Sequence, residues 1–144
     1  ETPKNGSPVI FCAMANQTPQ NRYDIVSFLM DEGEDLNGTN EEGETLFHIL
    51  FSRPKHIMEQ TVELTLILID EGVDINQLDA KHRVAIQYLI SHPKFTDEDF
   101  APLYDVIFKR CTLELNIKND WGYTPIELAQ KLPYRAELLK RMTK

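Results

Sequence analysis

Apolar residues fall at helical spacing in three long stretches of the chain: Ile25, Val26, Leu29 and Met30; Val62, Leu66 and Ile69; and Phe100, Leu103, Tyr104, Ile107 and Phe108. Steps of three and four residues place side chains on one face of an α-helix, so each stretch predicts an amphipathic helix with that face turned inward. Thr96, followed by Asp97, Glu98 and Asp99, supplies a cap and an acidic first turn for the third helix. Gly33 and Gly72 follow the first two, where a left-handed residue closes the last turn. A shorter helix is expected ahead of each long one. The clearest start is Thr124-Pro125, a capping side chain and then a ring whose fixed φ suits the first helical position. Pro19, Pro54 and Pro93 stand in the connections from short to long helix. Polar turns complete the pattern. In them Leu36 and Ile75 are expected to pack inward, while Asn37 and Asn76 bridge backbone groups.

The pattern repeats. Leu29-Met30-Asp31-Glu32-Gly33-Glu34-Asp35-Leu36-Asn37 returns 39 residues later as Leu68-Ile69-Asp70-Glu71-Gly72-Val73-Asp74-Ile75-Asn76. A weaker copy runs from Phe108 to Leu115-Asn116, a further 40 residues on. A second signature follows each: Asn40-Glu41-Glu42-Gly43-Glu44-Thr45-Leu46-Phe47-His48-Ile49-Leu50, then a degenerate Asp79–Leu89, then Asn119-Asp120-Trp121-Gly122-Tyr123-Thr124-Pro125-Ile126-Glu127-Leu128-Ala129. A truncated first copy begins at Ser7-Pro8-Val9-Ile10-Phe11-Cys12. Such in-phase self-similarity is the mark of a repeat architecture.

From about Ser7 to Met142 the chain resembles the ankyrin-repeat family, whose units are a hairpin turn and two antiparallel helices with a Thr-Pro-Leu-His-x-Ala signature. Thr124–Ala129 matches best and Thr45-Leu46-Phe47-His48 next. The resemblance implies an all-α solenoid of about four helix-turn-helix units in one domain spanning residues 1–144. Approximate units are 1–37, 38–76, 77–116 and 117–144, with a short basic last unit acting as terminal cap. Family units run to about 33 residues, so the 39- and 40-residue spacing implies lengthened inter-helix loops at roughly Ser52–Met58 and Ser91–Glu98, extending one edge of the stack. His82 stands where a glycine is expected, which leaves that turn unexplained.

Charge and cysteine content narrow the function. Net charge is −8, and phosphate binding needs clustered Lys and Arg, so nucleic acid is disfavoured as a partner. The charge is uneven: residues 1–80 carry 4 basic and 15 acidic side chains, residues 81–144 carry 11 basic and 8 acidic. The acidic half is either a solvated face or an attraction for a basic partner or a second copy. No apolar run nears the ~20 residues that span a bilayer, so a soluble protein with no membrane partner is expected. Cys12 and Cys111 lack metal-ligand spacing, and two stacked units would hold them apart and free. A reducing, cytoplasmic setting follows. Cys12, in the small-residue slot of its helix, is expected to be buried. Sequons at Asn5, Asn16 and Asn37 are short enough to arise by chance, and Asn37 already has a turn to hold. The chain opens on Glu1, so a trimmed leader or a longer polypeptide stays open.

Catalytic chemistry has no foothold in the pattern. His48, His56, His82 and His92 form no helical ligand pair, and phosphate-loop or nucleophile motifs are missing. His48 occupies the signature slot that joins neighbouring turns in the family, whereas His56 and His92 read as plain loop residues. The expectation is a non-catalytic protein–protein interaction module without cofactor or metal. Its candidate contacts are the turn tips Glu41, Glu42 and Glu44, Lys81 and Arg83, and Asp120, Trp121 and Tyr123, with Arg53 and His92 on the first-helix faces. Trp121 and Tyr123 either anchor a partner or fold back onto the end cap. The alternative is a regulatory or assembly segment that self-associates or packs on its own neighbouring domain.

Overall fold

The computed structural model describes residues 8–143. Eight α-helices follow in order: α1 (Pro8–Met14), α2 (Pro19–Asp31), α3 (Leu46–Phe51), α4 (Met58–Asp70), α5 (Ile86–Ile90), α6 (Asp97–Arg110), α7 (Pro125–Gln130) and α8 (Ala136–Met142), the last entered through a 3₁₀ turn at Pro133–Arg135. The described residues contain no β-strand, and none of their helices is long and apolar enough to cross a membrane. The protein is all-helical. Short helices α1, α3, α5 and α7 pack side by side in one row, and α2, α4, α6 and α8 in a second. The core lies between the rows.

Packing, rather than intrinsic propensity, holds the short row, because helices of five to seven residues are unstable alone in water. All six residues of α3 are buried. Capping helps: Thr96 and Thr124 each accept from the backbone N–H three residues on, while Asp99 and Glu127 accept back from the cap. At the far ends of α2 and α4, Gly33 and Gly72 take positive φ, and paired bonds close each last turn (Gly33 to Met30 and Glu34 to Leu29; Gly72 to Ile69 and Val73 to Leu68). Leu36 and Ile75 are buried beneath the turns. Asn37 donates to the Glu71 carbonyl at 3.2 Å and Asn76 to that of Thr112 at 2.8 Å, so each turn is tied to the next.

Three expectations are corrected. In α4 the buried stripe is Thr61, Leu64, Thr65 and Leu68, while Val62, Leu66 and Ile69 are half-buried. A helix covered by neighbours on two sides offers more than one apolar stripe, and spacing alone cannot rank them. Cys12 is exposed, not buried. In α1 the positions i, i+3 and i+4 that face the core are Ile10, Ala13 and Met14, standing as Phe47, Leu50 and Phe51 do in α3. The first unit therefore runs one residue later than its Ser-Pro match implied. Pro19 opens α2 at its first turn instead of lying in the connection.

The inter-helix loops also differ from expectation. They fold into the body, held by arginines that collect backbone carbonyls. Arg22 donates to Asn16 and Lys55, Arg53 to Ile49 and Ala15, and fully buried Arg135 to Ile90, His92 and Phe95. His92 is buried, donating from Nε2 to the Arg53 carbonyl at 2.8 Å and accepting at Nδ1 from the Lys94 N–H. Its ring and those of His56, Phe95 and Phe100 lie 5.2–6.2 Å apart in one aromatic cluster. His92 and Arg53 are thus parts of the scaffold and leave the set of exposed binding positions; His56 is no plain surface residue either.

Candidate functional site

Three hairpin tips line up along one rim, each closed the same way. Asn40, Asp79 and Asn119 donate from their N–H to the carbonyls of Glu44, Arg83 and Tyr123. Their side-chain oxygens accept from the N–H two and four residues on: Glu42 and Glu44, Lys81 and Arg83, Trp121 and Tyr123. The residue between, Gly43, His82 or Gly122, adopts φ of 74°, 60° and 86°. His82 therefore fills the left-handed glycine place with an L side chain, a conformation histidine tolerates better than most residues. Its Nδ1 lies 2.7 Å from an Asp120 carboxylate oxygen. Backbone bonds join tip to tip, Ala80 N–H to Glu42 and Asp120 N–H to Lys81, so the rim is one continuous, preorganised edge. A Cβ on Gly43 would meet the Ala80 nitrogen at 3.0 Å, so a side chain there would press on the neighbouring backbone where the first two tips touch.

His48 anchors the rim from below. Its Nδ1 accepts from the Thr45 N–H, so Nε2 carries the proton and donates to the Arg83 carbonyl at 2.8 Å. Burial holds its pKa below the ordinary histidine value. Gln87, 39 residues on, does similar work by accepting from the Asn119 side chain at 3.0 Å. Tyr88 donates toward Glu44 and Asp79, each at 3.2 Å, and burial pushes its phenol up. These two were missed in the sequence because they sit in the degenerate unit; for Gln87 the 39-residue offset from His48 was the available signal.

Side chains sort the tips by chemistry. Glu41 and Glu42 are exposed at the first tip, while half-buried Glu44 accepts from Asn40 and Tyr88. At the second tip Lys81 is exposed, and Arg83 donates from Nε to Asp79 at 2.8 Å. Those backbone and side-chain donors keep the Asp79 carboxyl below its usual range despite its burial. At the third tip Trp121 is 57% exposed and Tyr123 half-buried. The Lys81 ammonium and the Arg83 guanidinium lie 5.5 and 5.6 Å from the Trp121 ring, within cation–π range. Lys131 stands 4.0 Å over Tyr123 and donates to its hydroxyl. Arg83, Gln87, Asn119, Trp121, Tyr123 and Leu128 line an open groove of ≈ 320 Å³. Lys81, Arg83, Asp120, Trp121 and Tyr123 are brought together; Glu41 and Glu42 lie one tip away.

No protein-family model and no curated protein matches the chain. Matching solved structures number 368 chains, so the helical architecture is a recurrent one. One is a functionally unknown protein from Leptotrichia buccalis C-1013-b, 29% identical, with a TM-score of 0.84 over 96% of this chain and 75% of that one. The likeness is one of fold and brings no activity with it.

Proposed function

We propose that the chain is a non-catalytic ankyrin-repeat module that holds a protein partner on its rim, at the groove between the second and third tips. The observation that carries the reading is the exposed Trp121 ring, set on a rigid edge between two cations and above a groove. Large rings that can be desolvated in one piece dominate binding energy at protein interfaces. Lys81, Arg83 and Lys131 favour a partner segment that places an acidic group beside an apolar one.

The test uses Trp121→Ala and Lys81→Glu. Neither residue is in the core, so melting should stay within about 0.5 kcal/mol of wild type. Capture of the partner from source lysate, then titration of the identified protein, should show a loss of about 2 kcal/mol, roughly thirtyfold in Kd. Unchanged capture rejects the rim; a fall in stability of several kcal/mol on Trp121→Ala also rejects it and assigns the ring to the end cap. The second reading, an assembly segment packed on neighbouring polypeptide, is favoured by a separate observation: the apolar side chains left bare on α1 and α2.

A further inference from the structure

Val9, Ile25 and Phe28 are 54%, 40% and 62% exposed. They are not scattered. Ile25 and Phe28 lie one turn apart on α2, and α2 packs on α1, which carries Val9. The repeat spacing identifies their counterparts. In the 39-residue register that aligns the buried positions of α2, α4 and α6, Ile25 corresponds to Leu64 and then Leu103, which are 1% and 0% exposed; Phe28 corresponds to Ile67 and then Val106, both half-buried. In the register fixed by the core residues of α1, Val9 corresponds to Leu46 and Ala85, both fully buried. The same positions are thus buried or half-buried in the second and third helix pairs and exposed in the first. The second and third pairs differ from the first in having a pair stacked before them.

We propose that this face seats one further helix pair of the same kind, joined ahead of residue 8 in the full-length polypeptide. The face continues the interface already used between successive pairs, α1 on α3 and α2 on α4. The seven residues before Pro8, Glu-Thr-Pro-Lys-Asn-Gly-Ser, hold no large apolar side chain to cover it. A second copy is a poorer occupant in either orientation. Face to face, two copies would bring the exposed Asp24, Asp31 and Glu32 of α2 and its end to one seam, a like-charge contact. Head to tail, the incoming surface would be that of the last pair, where Glu137, Lys140 and Thr143 are exposed, as suits a terminal cap. A quarter of the Leptotrichia chain lies outside the match, roughly the length of one 39- to 40-residue unit. The inference rests on the stacking of helix pairs and not on the rim as a binding site, so either can fail alone.

Phe28→Asp separates the possibilities when its melting is followed in two contexts, the 144-residue chain and the full-length product of its gene. In the 144-residue chain the exposed ring contributes little, and Tm should move by no more than about 1 °C. In the full-length product the aspartate would be buried against the added pair, and Tm should fall by about 5 °C or more. Phe28→Ser gives the milder contrast if the aspartate prevents the longer product from folding. Equal, small shifts in both contexts overturn the proposal, as does a gene product with no helix pair ahead of residue 8. A dimer of the 144-residue chain in light scattering that Phe28→Asp dissociates also overturns it, by making the second copy the occupant.

Discussion

His56 concentrates the pH dependence at the scale of one residue. Its Nδ1 is 2.8 Å from the Thr61 hydroxyl, and its Nε2 is buried with no partner. Burial first, then the Arg22 guanidinium, with smaller contributions from the neighbouring His92 and Arg53 side chains, bring its pKa down to about 4. The rings of Phe95 and Phe100 face it from the next loop and from α6. The unfolded chain takes up this proton near pH 6.5, the folded chain only near 4. The unfolded state therefore binds more protons between those values, and acidification destabilises the fold across that window. Burial also lowers His48 and His92, with the same sign. Urea melts at pH 7.5 and pH 4.5 should differ in favour of the higher pH, with His56 contributing up to about 3 kcal/mol. His56→Gln should flatten that slope; an unchanged slope would remove His56 as its source.

Between elements, one buried cation does the joining. Arg135, at the entry to α8, reaches the carbonyls of Ile90, His92 and Phe95 and pairs with Asp97 at 3.1 Å. Asp97 opens α6 and accepts in addition from the Tyr104 hydroxyl and from the N–H groups of Glu137 and Leu138. The carboxylate thereby meets the orphan donors at the start of α8. Burial, reinforced by the bond to Asp97, pushes the Tyr104 phenol well up. Arg135→Met leaves Asp97 without its cation and three carbonyls without a donor, and should cost about 3–5 kcal/mol in a urea melt. The double variant with Asp97→Asn should lose less than the sum of the two single changes, because both act on one network. Strict additivity would mean that the two side chains work independently.

At the scale of the whole molecule, each helix pair makes its main described contacts with the pairs beside it, so stability accumulates from neighbour interfaces. The two thiols report on opposite parts of this stack. Cys12 is exposed on α1 and Cys111 half-buried at the end of α6, and both are free. Burial raises the Cys111 pKa, which lowers its thiolate fraction at neutral pH. In native protein Cys12 should be alkylated first and Cys111 more slowly; after unfolding without reductant both should titrate. An unfolded chain with no reactive thiol, its two cysteines oxidised to a pair, would contradict the stacking order.

The sequence by itself determined what local chemistry controls. Gly33 and Gly72 end helices because a left-handed residue must close the turn, and Thr96 and Thr124 start them because a hydroxyl can meet a free N–H. The 39- and 40-residue spacing placed the tips, and with them Lys81, Arg83, Trp121 and Tyr123. Tertiary structure alone decided which apolar stripe of α4 is covered, because two neighbours compete for that helix. It likewise turned Arg53 and His92 from exposed contacts into scaffold. A polar loop residue reads as solvated in sequence, and only the carbonyls brought to it from distant turns give it a reason to be buried.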